Sequence, residues 1–111
     1  MTGKELLESA AKAAGMKFSA YHPDFGVWDD DNGREWNPIT DDGDALRLAV
    51  RLRLTIQHNF RGVMCYDSPD FCDKSNTNMI EVWENAADQA VATRRAIVRA
   101  AAEIGKSSHD Q

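Results

Sequence analysis

Apolar residues near the N-terminus fall at Leu6, Leu7, Ala10, Ala11 and Ala14, spaced by three and four, with Glu5, Glu8 and Lys12 between them. This period puts one apolar stripe along one side of a helix and predicts helix over residues 3 to 14. Thr2 and Glu5 have the Thr-x-x-Glu spacing of a capping box, and Gly15 stands where a left-handed residue ends a helix. The alanines are small enough for this helix to lie close against a sheet.

Met16 to Tyr21 and Phe25 to Trp28 read as extended segments parted by His22-Pro23-Asp24, because Pro23 keeps His22 out of helical backbone. Asn32-Gly33 is the strongest short hairpin signal, since both residues tolerate the positive φ of a type I′ turn; its strands are Phe25 to Asp29 and Arg34 to Asn37. A second helix begins at Thr40 or Asp41, where a side-chain oxygen caps it and Asp41, Asp42 and Asp44 meet the positive end of the dipole. It runs to about Leu52.

Leu54, Ile56, His58 and Phe60 then alternate with Thr55, Gln57 and Asn59, the period of a strand with one face on the core. Arg61-Gly62 turns the chain, Val63 to Tyr66 returns antiparallel, and Met79 to Trp83 adds a further strand after the polar loop from Asp67 to Asn78. The final helix has Asn85 as cap, Gly105 as terminator and an inward stripe of Ala86, Ala90, Thr93, Ile97, Ala101 and Ile104. Asp88, Arg95, Arg99, Glu103 and Lys106 fall on its opposite face. The order α-β-β-α-β-β(β)-α with short connections gives the α+β class, a mostly antiparallel sheet covered by helices. One domain over residues 1–105 is expected, with a disordered tail at 106–111.

Composition agrees with this picture: 111 residues with 42% apolar and 28% charged content suffice for one small domain that folds without disulfide, metal or cofactor. No apolar run approaches the ~20 residues of a membrane helix, and the first twenty residues lack a secretory pattern, so a cytoplasmic protein is expected. Cys65 and Cys72 match neither the close pairs of a zinc site nor a disulfide framework and read as free thiols. Net charge is −5, with −7 concentrated in residues 20–46 and +4 in residues 47–62. Affinity through phosphate neutralisation needs the opposite balance, so nucleic acid, which would have only the side of Arg47, Arg51, Arg53 and Arg61, is not an expected partner.

The acids invite metal chemistry. Asp29-Asp30-Asp31-Asn32-Gly33 lacks the alternating ligands of a calcium loop, position 39 is Ile39 where a bidentate glutamate belongs, and the first ligand position falls on Trp28. Asp29 to Asp31 with Asp41, Asp42 and Asp44 would serve a metal-dependent hydrolase, although acids in a first helical turn are already explained by the dipole. His22, His58 and His109 are scattered and accompany no nucleophile motif. His58 reads as a half-buried, hydrogen-bonded histidine beside Ile56 and Phe60; with Cys65 and Cys72 it makes three zinc ligands and no fourth. Trp28, Trp36 and Trp83 sit among Asp29 to Asp31, Glu35, Glu81 and Glu84, which repel phosphate and suit core packing or contact with a basic protein. No catalytic role is expected.

Two stretches, Trp36-Asn37-Pro38-x-Thr40-Asp41-Asp42-Gly43-Asp44-Ala45-Leu46 and Ala92-Thr93-Arg94-Arg95-Ala96-Ile97-Val98-x-Ala100-Ala101, resemble small bacteriophage and prophage proteins of the phage ABA-sandwich type. The resemblance covers nearly the whole chain in element order and implies a helix-sheet-helix sandwich and a phage context, with no catalytic residue to transfer. The hairpin acids and the loop from Asp67 to Asn78 stand outside the family pattern. A protein-binding role is therefore expected at Trp28, Asp29, Asp30, Asp31, Glu35, Asp70 and Phe71, toward a basic host protein such as a nucleic-acid-binding defence component. A self-associating structural module, a homo-oligomer, is the other non-enzymatic alternative.

Overall fold

The computed structural model describes residues 2–59, 62–67, 81–85 and 88–108. Helix α1 (Gly3–Ala13) starts where Thr2 accepts a hydrogen bond from the Glu5 N–H at 3.2 Å, and Gly15 follows its end at φ 70°. Strands β1 (Phe18–His22), β2 (Gly26–Asp29) and β3 (Arg34–Trp36) form an antiparallel meander. Helix α2 (Asp42–Leu52) leads to a second meander of β4 (Leu54–Asn59), β5 (Gly62–Asp67) and β6 (Glu81–Asn85), and α3 (Gln89–Ser108) closes the chain.

The α+β class and the element order agree with the pattern in the sequence. The antiparallel strands are divided, however, into two three-stranded sheets, because α2 stands between β3 and β4 and each meander pairs only within itself. Two local details also differ. Asp29 pairs with Arg34, so the hairpin loop is the four residues Asp30 to Gly33 and not a two-residue turn; within it only Gly33 has positive φ. In β1 the register slips by one residue between Ser19 and His22, a bulge at which Ala20 takes φ 46°. A left-handed alanine stores strain of roughly 1–2 kcal/mol, and such a bulge twists the edge strand and re-aims its side chains.

Helix α3 is the centre of the packing, touching α1, α2 and all three strands of the second sheet. Ala92, Ala96, Ile97, Val98, Ala100, Ala101 and Ala102 are buried on it. The buried surface is wider than one stripe because neighbours cover the helix from several sides, and Ala90, expected inside, is exposed. Ala86 lies outside the described residues. Asp88 rather than Asn85 caps the helix: its carboxylate accepts from the N–H groups of Ala90 and Val91, while Asn85 pairs with Gly62 as the last residue of β6.

The alanine-rich face of α1 meets α3 more than it meets a sheet. Gly105 shows why. It does not end α3, which continues to Ser108 through the first three residues of the expected tail. A Cβ at Gly105 would stand 1.9 Å from the Ser9 carbonyl oxygen, so only glycine lets the two backbones come this close. Gly105→Ala gains helix propensity of about 1 kcal/mol but must push the helices apart, and is expected to cost about 1–3 kcal/mol net. Thermal melting checks this, and a variant as stable as the parent would contradict the packing described.

Candidate functional site

The hairpin acids have different fates. Val27, Asp29 and Trp36 face inward from the first sheet, whereas Trp28, Asp30, Asp31 and Glu35 are exposed. Asp29, expected with its neighbours on a contact surface, is instead covered by the turn it holds. Its carboxylate accepts from the N–H groups of Asp31 and Asn32, at 3.0 and 3.2 Å, and from Asn32 Nδ2 at 2.7 Å. Burial works to raise its pKa, but the Asn32 side chain, the two backbone N–H groups and Arg34 together outweigh it and leave the group below its ordinary value.

Asp44, which the sequence offers as a helix-dipole acid or as one carboxylate of a metal-dependent hydrolase, is buried and joins three elements. Oδ1 accepts from both Arg34 and Arg47 at 2.7 Å, and Oδ2 accepts from the Asn37 N–H at 3.0 Å. The hairpin, the turn before α2 and α2 itself thus meet at one carboxylate. Asp41 caps α2 by accepting from the Asp44 N–H, and Asp42 pairs with Arg94, whose Nε also donates to the Ile39 carbonyl. These carboxylates are occupied by N–H groups and guanidiniums, and among the described residues no group of three His, Cys, Asp or Glu is placed to hold a metal ion.

The outer face of the first sheet carries Trp28 as its centre. Trp28 pairs with Ser19 on one side and Glu35 on the other, so the three share a face, and the Ser19 hydroxyl donates to Asp30 at 2.8 Å. Phe25 joins them: it stacks on His22 with ring centroids 4.8 Å apart, and His22 Nδ1 accepts from the Asp24 N–H. Phe25 and Trp28, 51% and 42% exposed, line one shallow cleft of about 150 Å³ with Ala20, His22 and Glu35. Trp36, by contrast, packs in the core.

His58 is exposed and not half-buried. It keeps a bond all the same: the Thr93 hydroxyl donates to the Gln89 carbonyl and therefore accepts from His58 Nε2 at 2.8 Å. Cys65 is a free, fully buried core thiol, and burial pushes its pKa up to about 12, which keeps it protonated and unreactive. Asp70, Phe71, Cys72, His109 and Arg61 lie outside the described residues. The sequence reading missed the role of Asp44, although Arg47 three residues on was a local signal for an ion pair.

Removal of the Asp44 carboxylate leaves the Asn37 N–H buried without an acceptor, while the half-exposed arginines relax into water. Asp44→Ala is therefore expected to cost about 2–3 kcal/mol in urea unfolding, against under about 0.5 for exposed Glu35→Ala. For Asp29 the lowered folded pKa makes its contribution complete above the unfolded value and lost as pH falls through the folded one. Asp29→Asn should thus be less stable than the parent at neutral pH by about 1–2 kcal/mol, and the gap should close in acid. A gap independent of pH would show that the charge is not what holds the turn. Compared with known proteins, the chain matches no family model, no curated protein and no solved structure.

Proposed function

We propose that this chain is a small phage-encoded accessory protein of the host cytoplasm that acts by binding a basic protein surface, and that the outer face of the first sheet makes the contact. The observation that carries this reading is the pair Trp28 and Phe25, exposed together and framed by Asp24, Asp30 and Glu35. Aromatic side chains in water are the commonest anchors of protein interfaces, each offering about 150–250 Å² to bury. Acids around them speed encounter with a basic partner and repel nucleic acid.

The supporting details lie in the backbone. The bulge at Ala20 keeps β1 irregular beside the aromatic pair, which discourages simple edge pairing while leaving the face open. The hydrolase alternative draws on carboxylates that the fold engages elsewhere, Asp29 in its turn, Asp41 at the helix cap and Asp44 between two arginines. No helix among the described residues is long and apolar enough to cross a membrane.

Capture from bacterial lysate by the immobilised protein, read by quantitative mass spectrometry, tests the reading. Trp28→Ala and the charge reversal Asp30→Lys with Glu35→Lys are each expected to reduce the recovered partner by about tenfold or more, as loss of a hot spot does, and Val91→Ser on α3 is expected to leave it unchanged. A partner retained equally by all variants, or none recovered by the parent, would sink the proposal.

A further inference from the structure

A second exposed apolar pair lies on α2. Leu46 and Val50 are 61% and 68% exposed, and their spacing of four puts them side by side along the helix. Arg47 and Arg51 have the same spacing one step round the helix. With the hairpin and the end of α1 these residues wall an open groove of about 500 Å³, to which Met16 and Trp36 add apolar surface.

The charge that this groove shows to water differs from that of the protein as a whole. Of the three acids along it, Asp29 and Asp44 are buried, one held by the N–H groups of its turn and the other by Arg34 and Arg47. What remains exposed is three guanidiniums, those of Arg34, Arg47 and Arg51, against the single carboxylate of Asp31. Arg34 and Arg47 converge on one oxygen of Asp44 and each retains N–H donors beyond that bond. Arg51 has no side-chain hydrogen bond or ion pair with another described residue, and its guanidinium lies beside Gly15. A fork of fixed cations next to bare aliphatic side chains recognises a carboxylate carried near an apolar group.

We propose that this groove binds an acidic, apolar peptide segment of a protein partner, with its carboxylates on Arg51, Arg47 and Arg34 and its aliphatic side chains on Val50, Leu46 and Met16. A nucleic-acid strand fits less well: its phosphates continue past the three arginines onto a protein of net charge −5, with Asp31 at the rim. The site is separate from the aromatic face of the first sheet, and its occupancy does not depend on what that face binds.

Titration of the isotopically labelled protein, followed by amide and arginine Nε–H resonances, tests this with the blocked peptide acetyl-Asp-Leu-Glu-Leu-amide. Saturable shifts are expected at residues 46–51 and at Arg34. The neutral peptide acetyl-Asn-Leu-Gln-Leu-amide should bind about tenfold more weakly, and added salt should weaken the acidic peptide. Arg51→Ala and Val50→Ser, both on the surface, should each weaken binding about fivefold or more with melting temperature unchanged, whereas Trp28→Ala should leave it intact. The proposal is overturned by absence of saturable shifts, by equal binding of the neutral peptide, or by tighter binding of an oligothymidylate. Concentration-dependent self-association that Arg51→Ala abolishes would likewise overturn it and give the groove to a second copy of the chain.

Discussion

The fold rests on how closely α1 and α3 approach. Backbone touches backbone at Ser9 and Gly105, and Ala10 and Ala11 of α1 and Ala100, Ala101 and Ala102 of α3 are all fully buried. Alanines bury little area each, so such an interface gains its stability from dense packing and many short dispersion contacts. It also fixes α3 as the element on which α2 and the second sheet are laid. The larger apolar side chains, Leu7, Leu48, Val63 and Val98, fill the space that this close pair leaves around it.

Asp44 ties the first sheet to this helical layer. A buried carboxylate is unfavourable unless its oxygens are fully engaged, and here two guanidiniums and a backbone N–H engage them. Because Arg34 lies on β3 and Arg47 on α2, the hairpin cannot swing without exposing or orphaning that charge. The same strand sends Glu35 to the outer face and Trp36 to the core, so the position of the aromatic surface follows from where the ion pair holds β3. Both candidate surfaces therefore border one rigid joint, the aromatic face on one side of the sheet and the arginine-lined groove on the other.

Net charge describes neither surface. The protein is acidic, yet Asp29 and Asp44, the buried acids among the described residues, are matched locally, which leaves an anionic aromatic face and an aliphatic groove whose exposed charges are mainly guanidiniums on one small molecule. Complementary fields of this kind direct encounter and orientation more than they add affinity, while the exposed Trp28, Phe25, Leu46 and Val50 supply the area that a contact buries.

The sequence by itself determined the α+β class, the order of elements and most helix starts, because these depend on local physics: apolar period, capping oxygens at Thr2 and Asp41, and the alternation from Leu54 onward. Trp28 as a contact residue was legible too, from its acidic neighbours along the chain, and the structure exposes it. The tertiary structure alone decided the rest. Gly105 carries the same local signal whether it ends a helix or admits a neighbouring backbone, and only the presence of Ser9 separates the two. Asn85 and Asp88 are equally good caps until β6 pairs with β5 and claims Asn85. Asp29 and Asp44 look like solvated acids in a turn and a first helical turn, since burial of a carboxylate depends on donors brought from elsewhere, Asn37 and Arg34 for Asp44. Leu46 and Val50 stay exposed for the converse reason: an amphipathic pattern shows that a helix has an apolar side, but which apolar residues find a neighbour is settled only when the other elements are in place.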